Sequence, residues 1–103
     1  MSILLDFSMF PTDKGESVSD EVARIVKMIR DSGVSYKLTA MGTVIETEKM
    51  EDALEIVRKA YDLVSEDSNR VYGTIKIDAR KTRTDRLTGK VESIEKKVGD
   101  VND

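Results

Sequence analysis

Histidine, cysteine and tryptophan are absent from this chain of 103 residues, and proline occurs once, as Pro11. Without imidazole or thiol there is no ordinary neutral-pH base, no thiolate nucleophile and no usual zinc site. Disulfides are excluded too, which fits a reducing compartment and a cytoplasmic location. No apolar run approaches the ~20 residues that span a bilayer, and the first residues carry no signal-peptide pattern. Neither a GxxxxGKS/T phosphate loop nor a GxGxxG fingerprint occurs. Net charge is −3, so the chain as a whole has no electrostatic reason to seek nucleic acid or anionic lipid. Any catalysis would fall to carboxylates, lysines and hydroxyls. The chain therefore reads as a non-enzyme, with no cofactor and no metal.

Hydrophobic residues make up 39% and charged residues 36%, the balance of a soluble globular domain. One domain is expected over residues 1–98, with 99–103 as a frayed tail. SILLDFSMFP (2–11) alternates Ile3, Leu5, Phe7 and Met9 against Leu4, Asp6, Ser8 and Phe10, a strand pattern ended by Pro11 and a turn-rich loop. Ser17 and Asp20 form a weak capping box before a stripe of Val22, Ile25, Val26 and Ile29. Gly33 stands where a left-handed C-terminal residue is expected, so the first helix is predicted over 18–31. A second helix starts near Lys49, with Met50, Ala53, Leu54, Val57, Tyr61 and Val64 at helical spacing and a Glu55–Lys59 pair outside. SEDSN (65–69) breaks it, and RVYGTIKIDAR (70–80) alternates again as a strand.

Between the helices, YKLTAMGTVIET (36–47) alternates on both sides of Gly42, as two strands and a tight turn. The order βαββαβ with right-handed crossovers predicts an α+β, ferredoxin-like fold: a four-stranded antiparallel sheet in order 4-1-3-2, both helices on one face. Ile3, Leu5, Phe7, Leu38, Ile45, Ile75 and Ile77 then belong beneath the helices. Taking Met41-Gly42 as the turn pairs Leu38 with Ile45 and Lys37 with Glu46. The opposite face carries Leu4, Asp6, Ser8, Phe10, Lys37, Thr39, Val44, Glu46, Tyr72, Thr74, Lys76 and Asp78. A solvated outer face would account for the polar members. Leu4, Phe10, Val44 and Tyr72 make it more apolar than that, as at an interface.

SMFP, MGTVIE, RVYGTIKIDAR and the segment after KTRTDRLTGK resemble the small thiamine-binding proteins related to YkoF, over residues 2 to about 98. The resemblance implies single ferredoxin-like domains assembled as a homotetramer, a dimer of dimers. It also implies a pocket shared between subunits on the open sheet face, for thiamine or its hydroxymethylpyrimidine moiety. An aminopyrimidine wants hydroxyl or backbone donors, an acidic acceptor and a flat wall. Ser8, Thr39, Thr43, Glu46 and Thr74 are the polar candidates, with Phe10, Met41 and Tyr72 as walls. Thr43 lies on the helix-facing parity and is included because the family motif covers it. Glu46 leads, as acceptor for the amine or partner for a cationic thiazolium, against the plainer reading that it pairs with Lys37.

Two features stand apart from that reading. RKTRTDR (80–86) places four basic residues in seven, which raises RNA binding through Arg80, Arg83 and Arg86. The absence of aromatics there and the dilution of its charge by Asp78 and Asp85 weigh toward a solvated extension or an intersubunit ion-pair arm. LTGKVESIEKKVG places Val91, Ile94 and Val98 at helical spacing, so a short helix is expected over about 88–98, docked on its own subunit or a neighbour. A structural or regulatory homo-oligomer without a thiamine-type ligand is the alternative function.

Overall fold

A computed structural model describes residues 1–15, 19–82 and 86–87, and at its centre lies β1 (Ser2–Pro11). α1 (Ser19–Ser32), β2 (Ser35–Thr39), β3 (Gly42–Thr47), α2 (Met50–Ser65) and β4 (Val71–Arg80) follow. The strands form one antiparallel sheet in the order β2-β3-β1-β4, the expected topology read from its other edge. Alternation in β1 sends Ile3, Leu5 and Phe7 to the helix side, where they are buried with Ile45, Ile25, Ile29, Ala53, Ile56, Ala60 and Val64.

α1 ends as its sequence foretells. Gly33 adopts φ +80°, a conformation that strains any residue with a Cβ, and its N–H donates to the Arg30 carbonyl at 3.3 Å. Ser17 of the expected capping box lies outside the described residues, as does the segment 88–98 expected to form a C-terminal helix.

α2 is rotated from its expected stripe. Ala53, Ile56, Ala60 and Val64 face the core, while Leu54 and Tyr61 remain 45% and 50% exposed. Two alanines a heptad apart let the helix approach β1 closely, which favours that face over the bulkier one. The exposed side differs too. Glu55 pairs with Arg58 rather than Lys59, and Arg58 also reaches Asp62 at 2.6 Å.

The helices pack over β1, β2 and β3 more than over β4. Ile75 and Ile77, expected beneath them, are therefore 45% and 44% exposed, and Leu38 on the other edge strand is 51% exposed. At one end of the sheet, the Asp13 carboxylate accepts hydrogen bonds from the Ser68 hydroxyl (2.5 Å) and the Asn69 N–H (2.9 Å). The Ser68 bond chiefly holds its pKa below the usual value. Thr12 N–H donates to the Arg70 carbonyl at 3.0 Å, so the loops leaving β1 and entering β4 are tied together.

The β2–β3 register differs from the expected one by two residues. Thr39 pairs with Gly42, Leu38 with Thr43, Lys37 with Val44, Tyr36 with Ile45 and Ser35 with Glu46. The turn residues are Ala40 and Met41, not Met41 and Gly42. A two-residue slip keeps each side chain on its face, so hydrophobic alternation alone does not distinguish the registers. The Thr39 side chain selects between them: its hydroxyl donates to the Gly42 carbonyl at 2.8 Å and accepts the N–H groups of Met41 (3.2 Å) and Gly42 (3.1 Å).

Gly42 is demanded by contact. A Cβ there would lie 2.8 Å from the Phe7 carbonyl oxygen and 2.9 Å from an Asp6 carboxylate oxygen. Gly42→Ala is expected to destabilise the protein by about 1–3 kcal/mol, since main chain must shift to admit the methyl group. Urea unfolding of both proteins checks this, and equal midpoints would contradict the close approach.

Candidate functional site

β1 is longer than its neighbour on one side. Its pairing with β3 runs from Ile3↔Thr47 to Phe7↔Thr43, whereas its pairing with β4 continues to Pro11↔Val71. Past Phe7, the edge of β1 that faces β3 meets a gap instead of a strand. The Ala40-Met41 turn and the start of α1 wall that gap, leaving a cavity of about 180 Å³. Val22, Ile25, Phe7, Met9 and Leu38 form its helix-side wall, and Ser8, Phe10, Thr39 and Gly42 come from the open-face parity.

Five of the eight expected site residues line this cavity: Ser8, Phe10, Thr39, Met41 and Thr43. Their hydroxyls are not equivalent. A hydroxyl offers one proton and two lone pairs, and Thr39 spends all three on the turn. The Ser8 and Thr43 hydroxyls have no hydrogen-bond partner among the described residues. Met41 is 87% exposed at the turn tip, a flexible apolar flap beside the opening.

Tyr72 and Thr74 stand next to the cavity rather than in it. They lie on β4 opposite Phe10 and Ser8, and the Tyr72 and Phe10 rings sit 5.8 Å apart at a 41° tilt. Asp6, which the sequence offered only as one more open-face carboxylate, has an oxygen against Gly42. That proximity depends on the β1–β3 register, and no local motif announces it. Val22 and Ile25 were legible as one helical stripe, but their nearness to the hairpin turn is tertiary.

Glu46 is elsewhere, near the other end of the sheet. Its carboxylate accepts the Ser2 hydroxyl at 2.5 Å, Arg86 N–H at 2.9 Å and Leu87 N–H at 3.2 Å. Lys37, opposite Val44, is not its cross-strand partner. Arg86 is 1% exposed: its Nε donates to Ser2 Oγ at 3.1 Å, and Nη2 donates to the Ser2 carbonyl at 2.8 Å and to the Asp78 carbonyl. Nη1 lies 2.9 Å from an Asp78 carboxylate oxygen but is not aligned for a hydrogen bond. Burial of the guanidinium is offset by the hydrogen bonds of Nε and Nη2 and by the Asp78 charge beside Nη1. Arg86 is thereby removed from any solvated arm or RNA-binding face; Arg80 is exposed and Arg83 lies outside the described residues.

Among the described residues, no group of three acidic side chains is placed to hold a metal ion, and no helix is long and apolar enough to cross a membrane.

A sequence profile described as thiamine-binding protein matches residues 5–95. A UPF0045 protein of Mycobacterium bovis is 36% identical over 96 residues, covering 93% of this chain and 94% of its own. Another, from Methanothermobacter thermautotrophicus, is 37% identical over 83 residues, with coverage of 80% and 84%. A solved structure from Methanocaldococcus jannaschii superposes with a TM-score of 0.81 at 29% identity, covering 90% of this chain and 95% of that one. A candidate thiamine biosynthesis/salvage protein of Thermotoga maritima shares the fold, with a TM-score of 0.78 at 15% identity and coverage of 91% and 99%.

Burial pushes the Glu46 pKa up, but the Ser2 hydroxyl, the two backbone N–H groups and the Arg86 charge together outweigh it and hold the carboxyl below its ordinary value. A carboxylate with a depressed folded pKa adds stability above its unfolded pKa, about 4.3, and loses it as pH falls through the folded value. Glu46→Gln is expected to cost about 1–3 kcal/mol near neutral pH, the scale of charge-assisted hydrogen bonds. The difference from the parent protein should close as pH is lowered below the carboxylate range. Urea unfolding at several pH values checks both the size and the direction.

Proposed function

This chain belongs to the thiamine-binding protein family, and from that premise we propose that it binds thiamine or its hydroxymethylpyrimidine moiety, without transforming it, in the cavity at the end of the sheet. The observation that carries the reading is the pair of hydroxyls without a partner among the described residues, Ser8 and Thr43, on the lining of a mostly apolar cavity. Sites for small molecules are mostly apolar, with a few convergent polar groups that fix orientation.

The fit is one of ring size and donor pattern. At about 180 Å³ the cavity falls below the ~300–1,000 Å³ typical of drug-sized ligands, so it suits one heteroaromatic ring rather than two. The pyrimidine is the ring assigned to it. Ser8 and Thr43 donate to the ring nitrogens, Phe10 and Met41 wall the ring, and the Asp6 carboxylate accepts from the exocyclic amine. The thiazolium of intact thiamine then extends along the open face toward the Phe10–Tyr72 pair, whose ring faces attract a cation. Glu46 stays with Ser2 and the chain beyond β4. In a homotetramer built as a dimer of dimers, a neighbouring copy covers the open face and closes the site.

Thiamine and hydroxymethylpyrimidine are each expected to raise the melting temperature of the protein in a dose-dependent way. Ser8→Ala removes one neutral hydrogen bond and should weaken binding about two- to tenfold by calorimetry. Saturating ligand with neither thermal shift nor heat would leave the structural oligomer as the function.

A further inference from the structure

We propose that Met41 is an oxidation-responsive site: peroxide converts its thioether to the sulfoxide, and the sulfoxide weakens the hold of the cavity on its ligand. The inference rests on the ligand reading and adds a means of regulating it. The chain has five methionines. Met9, Met28 and Met50 are partly buried and packed against the core, and Met1 is 51% exposed at the start of the chain. Met41 is 87% exposed at the hairpin tip, and it also lines the cavity. Of the two methionines on that lining, Met9 and Met41, a dissolved oxidant therefore reaches Met41 first.

The step is a two-electron oxygen transfer. The sulfur lone pair attacks one oxygen of hydrogen peroxide, an S–O bond forms and the O–O bond breaks. The departing hydroxide takes the proton from the new S–OH group and leaves as water. Sulfur is oxidised and peroxide is reduced. A dithiol reverses the change, becoming a disulfide while the oxygen leaves as water.

The product is polar and chiral where the wall was apolar, and its oxygen accepts hydrogen bonds. The cavity holds donors for such an acceptor. Thr43 is 5% exposed and Ser8 is half-buried, and neither hydroxyl has a partner among the described residues. These are the donors assigned to the ring nitrogens, and each hydroxyl has one proton to give, so sulfoxide and ligand compete for them. The main chain of the turn is not drawn into the change. Thr39 Oγ1 accepts the N–H groups of Met41 and Gly42 at 3.2 and 3.1 Å and donates to the Gly42 carbonyl at 2.8 Å. None of these bonds involves the Met41 side chain, so oxidation alters the site and leaves the turn in place.

Trypsin isolates Met41 on the peptide 38–49, which contains no other methionine. Limited hydrogen peroxide on the full chain should add one oxygen to that peptide before the peptides carrying Met9, Met28 and Met50. Calorimetry should then show thiamine bound about tenfold more weakly, the scale of one or two neutral hydrogen bonds. The melting temperature without ligand should not change. The two methionine sulfoxide reductases, one for each epimer, should restore the starting affinity. Met41→Leu, compared with itself before and after peroxide, should lose no affinity. Earlier oxidation of the three packed methionines, full affinity in the Met41 sulfoxide protein, or a fall in its melting temperature would overturn the proposal. So would a loss that the reductases leave in place, or an equal loss in Met41→Leu. Untreated protein that binds no thiamine would remove the ligand reading, and this proposal with it.

Discussion

The structure depends on β1 being hydrogen-bonded along both edges. A strand fixed on two sides has no freedom to rotate its pleat, so its period of two determines what lies above and below the sheet. Ile3, Leu5 and Phe7 must enter the core, and Leu4, Asp6, Ser8 and Phe10 must face away. The two neighbours differ in length, and that difference organises the functional surface. β4 follows β1 to Pro11, while β3 stops opposite Phe7. The cavity is the space left by that mismatch. At the other end of β1, Ser2 meets Glu46 and Arg86, and Arg86 in turn reaches Asp78.

Much of the fold was legible because it rests on periodicity. The strand and helix order, the sheet topology and the left-handed Gly33 follow from alternation, helical spacing and turn chemistry. Periodicity fails where two arrangements share the same parity. The hairpin register slipped by two residues for this reason, and the deciding term was the Thr39 hydroxyl bound to three main-chain groups. The stripe on α2 was misplaced by part of a turn, because hydrophobicity ranked Leu54 and Tyr61 above Ala60 when close packing favoured the smaller residue. Coverage of β4 was also overestimated, since the sequence does not say where two helices sit across four strands.

The candidate site was legible in its membership more than in its chemistry. Five of the residues expected to bind a ligand line one cavity, three of them contributed by the turn region and β3. The leading carboxylate was misjudged. Glu46 carries the right group on the right face, but Arg86 and Leu87 return from beyond β4 to occupy it. Arg86 looked like part of a basic surface run and instead is the most deeply enclosed charge described. One-dimensional charge clustering cannot register that the Ser2 hydroxyl, two strand carbonyls and the Asp78 carboxylate converge on a single point.

The saturated Thr39 hydroxyl has a consequence for recognition. A turn rim held by its own side chain is ordered before any ligand arrives, so binding need not spend free energy on freezing that part of the loop. Selectivity then comes from shape more than from adaptation: a ring that does not fit meets a fixed aperture. At the rim, adaptability falls to Met41, whose exposed, unbranched side chain can rearrange over an entrance that itself stays put.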